Sequence, residues 1–150
     1  MAASKTTRRA AVVWPIALAL VAGCAAGEPP TALPLTSIGD GAYVFIGVQE
    51  DASASNLGAI ANVGFVIGDR CVAIIDTGGS PMDGARLRAA VRAATEKPIC
   101  AVINTHMHPD HVYGNSAFVT DHPQFIGHAN LAPALAARSA TYARSLQREL

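Results

Sequence analysis

No stretch of this 150-residue chain is apolar for long enough to span a bilayer comfortably. The apolar run Ala10 to Ala22 is interrupted by Pro15 and preceded by Lys5, Arg8 and Arg9, an order that reads as the h-region of a signal peptide. Missing too is any excess of positive charge. Lys and Arg number 11, as do Asp and Glu, and three of the basic residues fall within residues 1–23, which hold no acid. Cleavage there leaves 8 basic against 11 acidic side chains, a net charge of −3. Nothing in that balance draws a polyanion, so nucleic acid is not an expected partner. There is no internal repeat, and the length leaves room for one domain at most.

The apolar run ends in Leu20-Val21-Ala22-Gly23-Cys24. Small residues before a cysteine resemble a bacterial lipobox, in which Cys24 is lipidated and becomes the mature N-terminus; the alternative is an ordinary cleavage site with an incidental cysteine. Arg8-Arg9 fits twin-arginine export, although such a pair is also common in basic leaders that use the general route. Either way the chain is expected to be exported and to be periplasmic or a membrane-anchored lipoprotein, with the lipid anchor as its membrane contact. Residues 1–23 are thus read as the signal peptide and 24–37, small and proline-bearing, as a tether. The domain is expected over 38–150.

Gly41 to Gly47 reads as a strand. Val63 to Gly68 and Cys71 to Asp76 read as two strands of a hairpin turned at Asp69-Arg70. After Thr77-Gly78-Gly79, Ser80 has the character of an N-cap, with Pro81 at the first helical position and Asp83 completing a capping-box-like pattern. Leu87, Ala90, Val91 and Ala94 then share one face of an amphipathic helix that Pro98 ends. Ile99 to Asn104 is an almost continuous apolar strand. Strand, helix and strand in about 35 residues make a βαβ unit, whose strands run parallel. Asp76 and Asn104-Thr105 therefore share the C-terminal edge of a sheet, where ligands of open α/β sheets bind. A short strand over Gln124 to Gly127 and a helix from Ala129 to Leu150 follow.

Cys71 and Cys100 each lie five residues before a strand end, at Asp76 and Thr105. In parallel neighbouring strands they would sit side by side, and in an oxidising compartment two such thiols can form a disulfide; an unpaired buried cysteine is the alternative.

At the same edge stands Thr105-His106-Met107-His108-Pro109-Asp110-His111. His106 and His108 are two apart, so in extended backbone their imidazoles point one way and can reach one ion. Asp110 and His111 follow Pro109, where the chain bends, and can serve a second. Imidazole nitrogen with carboxylate oxygen suits zinc, and also iron or manganese. Solvated histidines of a polar loop are the bland alternative; three of them with an aspartate directly after a buried strand argue against it.

The motif resembles the HxHxDH signature of the metallo-β-lactamase superfamily, and Ile74-Ile75-Asp76-Thr77-Gly78-Gly79-Ser80 is similar to that family's strand-end acid turn. Ala61 through Phe118, with Asn104-Thr105-His106 and Gly114-Asn115, most resembles the zinc metallohydrolases associated with periplasmic quinoprotein relay systems. The similarity extends to Ile126-Gly127-His128-Ala129-Asn130-Leu131. It implies an α/β fold, the αβ/βα sandwich, and two Zn2+ ions in a full-length member. His106 and His108 would hold the first ion. Asp110 and His111 would hold the second, and Asp110 would also orient the attacking hydroxide. Asp76 would stiffen a ligand loop by hydrogen bonding, a role that overlaps with that of a plain turn-stabilising aspartate.

Family members use further ligands well downstream: two histidines and a bridging aspartate. After the motif only His122 and His128 remain, and past Asp121 the sole carboxylate side chain is Glu149. His122, in a turn, is expected to be solvated; His128 matches a position not expected to be a ligand. The expectation is therefore the first αβ half of a zinc hydrolase, truncated and inactive alone, whose full-length relative attacks an ester, thioester, lactone or lactam carbonyl of a small-molecule substrate. The alternative is a non-catalytic zinc-binding exported lipoprotein or scaffold, self-associating through an exposed sheet face.

Overall fold

The computed structural model describes residues 29–149. The expected leader, with Arg8, Arg9 and Cys24, lies outside the described residues. The core of the fold is a six-stranded sheet whose spatial order follows the chain: β1 (Thr36–Gly39), β2 (Ala42–Phe45), β3 (Val63–Ile67), β4 (Val72–Ile75), β5 (Ile99–Ile103) and β6 (Gln124–Ile126). β1 to β4 pair antiparallel, with short turns from β1 to β2 and from β3 to β4 and a long loop, residues 46–62, between β2 and β3. The helix α1 (Pro81–Ala94) then carries the chain across one face, and β4, β5 and β6 run parallel. A short helix α2 (Pro109–Val112), a 3-10 segment (Tyr113–Asp121) and α3 (Leu131–Glu149) complete the chain. This is the expected mixed α/β class with its βαβ unit.

The two-residue period of the strands sends Val63, Phe65, Val72, Ile74 and Val102 to the face that α1 covers with Leu87 and Val91, and the extra residue at the β5 irregularity brings Ile99 to the same face. Phe118 of the 3-10 segment fills the remaining space and is fully buried. Two arginines of α1 hold that segment in place: Arg88 Nε and Nη2 donate to the Asp121 carboxylate at 2.6 and 3.0 Å, and Arg92 Nη2 donates at 2.6 Å. Bonding to Arg88 keeps the Asp121 carboxyl below the usual carboxylate range. The backbones of α1 and the 3-10 segment meet at Gly84 and Gly114, where a Cβ on Gly114 would overlap the Thr77 carbonyl. The opposite face of the sheet presents Val44, Val66, Ala73, Ile75, Ala101 and Ile103, all apolar; Val66 is 40 % exposed.

The end of the expected tether needs correction. β1 begins at Thr36, and Leu33 is buried with its N–H on the Arg86 carbonyl at 3.1 Å. Leu33 and Leu35 have apolar surface to bury, and the edge of α1 offers a place for it. Two other bounds move. The first expected strand contracts to β2, and α3 starts at Leu131 rather than Ala129. On α1, Leu87, Ala90 and Val91 are buried as the amphipathic pattern requires, but Ala94 is exposed because the helix ends there. Among the described residues no helix is long and apolar enough to cross a membrane.

Cys71 and Cys100 are joined by a disulfide with Cα atoms 5.8 Å apart. The register of β4 and β5 shifts between Val72 and Ala73, so Cys100 falls at the irregularity beside the start of β4. The link closes a loop with a sequence separation of 29 that contains all of α1. Constraining the unfolded chain over such a loop stabilises by about 3 kcal/mol. Cys71→Ser, and the unsubstituted protein in reductant, are each expected to lose about 2–4 kcal/mol in urea denaturation, with no further loss when both are combined. Equal stability with and without reductant would contradict this.

Asp83 also shapes the turn after β4. Its N–H bonds the Ser80 Oγ at 3.0 Å, completing the N-cap, while its own Oδ2 accepts the Gly79 N–H at 3.3 Å. The other oxygen, Oδ1, is buried with no partner. Burial pushes the carboxyl up to about 6, against a weaker opposing effect of the Gly79 bond and of Arg86. A carboxyl raised in the folded state is protonated there while the unfolded chain is already ionised, so stability falls as pH rises from the unfolded value of 3.8 to about 6. The loss over that window is about 3 kcal/mol. In Asp83→Asn this contribution is absent, so the stability of the variant relative to the unsubstituted protein should rise by that amount between about pH 4 and about pH 7. A difference that is flat in pH would contradict it.

Candidate metal centre

β4 ends at Ile75, and the next residue, Asp76, turns the chain with φ 54. This is the left-handed region, which aspartate tolerates better than most residues with a Cβ. Its N–H still completes the sheet by bonding the Ile103 carbonyl at 2.8 Å. The side chain, 2 % exposed, points across to the loop after β5. There Oδ1 accepts the Thr105 N–H at 2.8 Å, and Oδ2 accepts the Thr105 hydroxyl at 2.7 Å and His111 Nδ1 at 2.8 Å. A single carboxylate thus binds both ends of the histidine motif.

The loop is fixed from below as well. Thr77 N–H bonds the His111 carbonyl at 2.9 Å, and Gly114 N–H bonds the Gly78 carbonyl at 3.0 Å. Asn104 and Asn115 exchange amide hydrogen bonds at 3.1 and 2.9 Å, and the Thr77 hydroxyl donates to Asn115 Oδ1 at 2.9 Å. Pro109 starts α2 with His108 at the N-cap, extended at φ −69 and ψ 147 as a residue before proline must be. From there Asp110 and His111 enter the first turn.

The four expected ligands are brought together. The His106 and His108 rings are 4.8 Å apart, edge to face, and the His106 and His111 rings 4.0 Å apart. His111 Nε2 lies 3.3 Å from Asp110 Oδ2. The expected extended backbone across His106 and His108 is not found: residues 105–107 form bends, because Thr105 is drawn back onto Asp76 by its N–H and its hydroxyl. His122 is exposed and left-handed at the end of the 3-10 segment, away from the cluster. His128 is exposed too, but lines a cavity of about 350 Å³ together with Thr105, His106 and Met107.

The electrostatics separate the histidines. Burial alone would raise the Asp76 carboxyl, but hydrogen bonds from His111 and Thr105 outweigh it and hold the group below its ordinary range. His111 is shifted upward, first by its hydrogen bond to Asp76. His106 is shifted downward, first by burial and then by the charges of His111 and His108.

The donor set fits zinc. Two ligands at about 2.0–2.1 Å from a tetrahedral zinc stand ~3.3 Å apart, which is the separation of His111 Nε2 and Asp110 Oδ2. His111 Nδ1 on Asp76 forms the carboxylate–histidine pairing that orients metal-ligating imidazoles. Among the described residues no three donors close around one point; the arrangement is of adjacent pairs.

A model of the metallo-beta-lactamase superfamily matches residues 57–142, more than half of the chain. The chain belongs to the metallo-beta-lactamase superfamily. Among curated proteins it is 44% identical, over 48 residues, to the linear primary-alkylsulfatase of Pseudomonas sp. (strain ATCC 19151), a match covering 32% of this chain and 9% of that one. Two solved structures share the fold at low identity. A metallo-beta-lactamase from Pontibacter korlensis has a TM-score of 0.59 at 16% identity, over 70% of this chain and 47% of that one. The metallo-beta-lactamase FIM-1 from Pseudomonas aeruginosa, in its mono-zinc form, has 0.57 at 16%, over 75% and 49%. The chain spans about half the length of these solved relatives.

Sequence reasoning missed several members of this superfamily site. Thr77, Asn104 and Asn115 hold the floor, and Tyr142 of α3 reaches over the motif to donate to Met107 Sδ at 3.1 Å. The polar residues were visible as Asn-Thr and Gly-Asn flanking the motif, but their pairing depends on the fold. Asp76→Ala removes three acceptor contacts from a buried position. The variant is expected to bind zinc about 10–100-fold more weakly, measured by competition with a chromophoric chelator. Unchanged affinity would show that Asp76 only shapes a turn.

Proposed function

We propose that this chain carries the first metal-binding segment of a zinc-dependent hydrolase that attacks an ester, thioester, lactone or lactam carbonyl. The observation that carries the reading is the gathering of His106, His108, Asp110 and His111 over the buried Asp76 carboxylate at the C-terminal edge of the parallel strands. His106 and His108 are the residues to hold one ion, and Asp110 and His111 a second. When bound, zinc lowers the pKa of a coordinated water from ~16 to about 7 and so supplies hydroxide at neutral pH. Asp110, 29 % exposed beside His111, is the carboxylate that would accept a hydrogen bond from such a nucleophile and orient it. Asp76 holds the His111 ring through its Nδ1.

We further propose that residues 1–23 export the chain and that Cys24 anchors it to a membrane by lipid. The Cys71–Cys100 disulfide supports an oxidising compartment such as the periplasm. The substrate panel is widened by the alkylsulfatase relative, whose name specifies linear primary alkyl sulfates.

Zinc per chain is to be measured for the protein and for His106→Ala, with turnover on a thioester, a lactone, a β-lactam and a linear alkyl sulfate. Bound zinc that is lost in the variant is expected, with little or no turnover by these 150 residues alone and turnover of a carbonyl substrate once a segment supplying the downstream histidines and aspartate is present. Zinc binding without turnover even with that segment present would instead favour the non-catalytic zinc-binding lipoprotein. No zinc binding at all would overturn both.

A further inference from the structure

The Thr105 hydroxyl has one proton and two polar neighbours. Its Oγ1 lies 2.7 Å from Asp76 Oδ2 and 3.0 Å from His106 Nδ1. The Asp76 carboxylate only accepts, so the hydroxyl proton must point to it; the reverse assignment would set two acceptors against each other across 2.7 Å. Oγ1 then has only lone pairs to offer His106. A hydrogen bond at that distance requires the His106 proton to sit on Nδ1, and a neutral imidazole protonated on Nδ1 has its free lone pair on Nε2. The carboxylate takes the Nδ1–H of His111 directly at 2.8 Å, which leaves Nε2 free on that ring as well.

We infer that Thr105 is a positioning residue that transmits the orienting effect of Asp76 to His106, so that one buried carboxylate sets the same ring tautomer in histidines of both proposed metal sites. Direct contact serves His111, which follows Pro109 and folds back over the turn. His106 adjoins Thr105 in the chain and, among the described residues, has no hydrogen bond of its own to Asp76; the Thr105 hydroxyl contacts both. The backbone N–H of Thr105 keeps its own bond to Asp76 Oδ1 whatever the side chain is, so the loop anchor and the relay are separable. Valine has the shape of threonine without the hydroxyl. Serine has the hydroxyl without the methyl.

The consequence for zinc affinity rests on the metal-site reading above; the tautomer does not, and is measured without metal. Long-range nitrogen–proton NMR correlations on the metal-free protein, at a pH where both rings are neutral, report which nitrogen of each histidine is protonated. Nδ1–H is expected for His106 and for His111. Thr105→Val should release His106 to a mixture of tautomers while His111 stays fixed, and Thr105→Ser should restore His106. Zinc affinity should drop about 10–100-fold in Thr105→Val and recover in Thr105→Ser. His106 protonated on Nε2 in the unsubstituted protein would overturn the inference, even if the valine variant failed to fold. So would a folded Thr105→Val that keeps both the tautomer and the affinity. Absence of zinc binding in the unsubstituted protein, with the tautomers as expected, would remove the metal-site reading and leave the relay standing.

Discussion

One buried carboxylate organises the C-terminal edge of this sheet. Asp76 leaves β4 in a left-handed turn, is 2 % exposed, and accepts from Thr105 twice and from His111 once. Ionised carboxylates are costly to bury without partners, and hydrogen bonds to charged groups are among the stronger ones in proteins. The balance is favourable here because every donor comes from the segment that the carboxylate has to hold. Without it the Thr105 end of the motif and the His111 ring would lose their shared acceptor, leaving only the backbone bonds at His111 to hold the loop.

The rest of the fold serves to present that carboxylate. Parallel pairing of β4 and β5, enforced by the α1 crossover, puts Asp76 and Thr105 at one edge. The Cys71–Cys100 link closes the opposite end of the same two strands. Behind the motif, Gly114 lets the chain pass against Thr77, and the Asn104–Asn115 pair locks the return. Arg88 and Arg92 then fasten the 3-10 segment to the outer part of α1. The ligand loop is therefore supported by rigid elements on several sides, which is what a site that must bind a cation in fixed geometry requires.

Local patterns made much of this legible in the sequence. The hairpin at Asp69-Arg70, the Ser80-Pro81 helix start and the apolar run into Asn104 each carry their own signal over a few residues, and together they place Asp76 and the histidines on one edge. The disulfide could be framed from the common offset of two cysteines from two strand ends, although only three-dimensional geometry decides between pairing and not pairing. Leu33 was hidden because two leucines among prolines are too few to show a period; its burial is decided by space beside α1. The bend at residues 105–107 was hidden for a related reason. An alternating His-x-His suggests extension, and it is the distant Asp76 that overrides it. Thr105 likewise looked like a strand end until its hydroxyl was seen between two partners.

Exchange of the Thr105 backbone amide in the metal-free protein tests the Asp76 anchor most directly. That N–H is held by Asp76 Oδ1 at 2.8 Å and by no strand partner. Protection comparable to that of the β4–β5 amides, lost in Asp76→Ala while the strands stay protected, is the expected result. A Thr105 amide exchanging at the rate of an unstructured chain before any metal is added would mean that the carboxylate does not hold the loop.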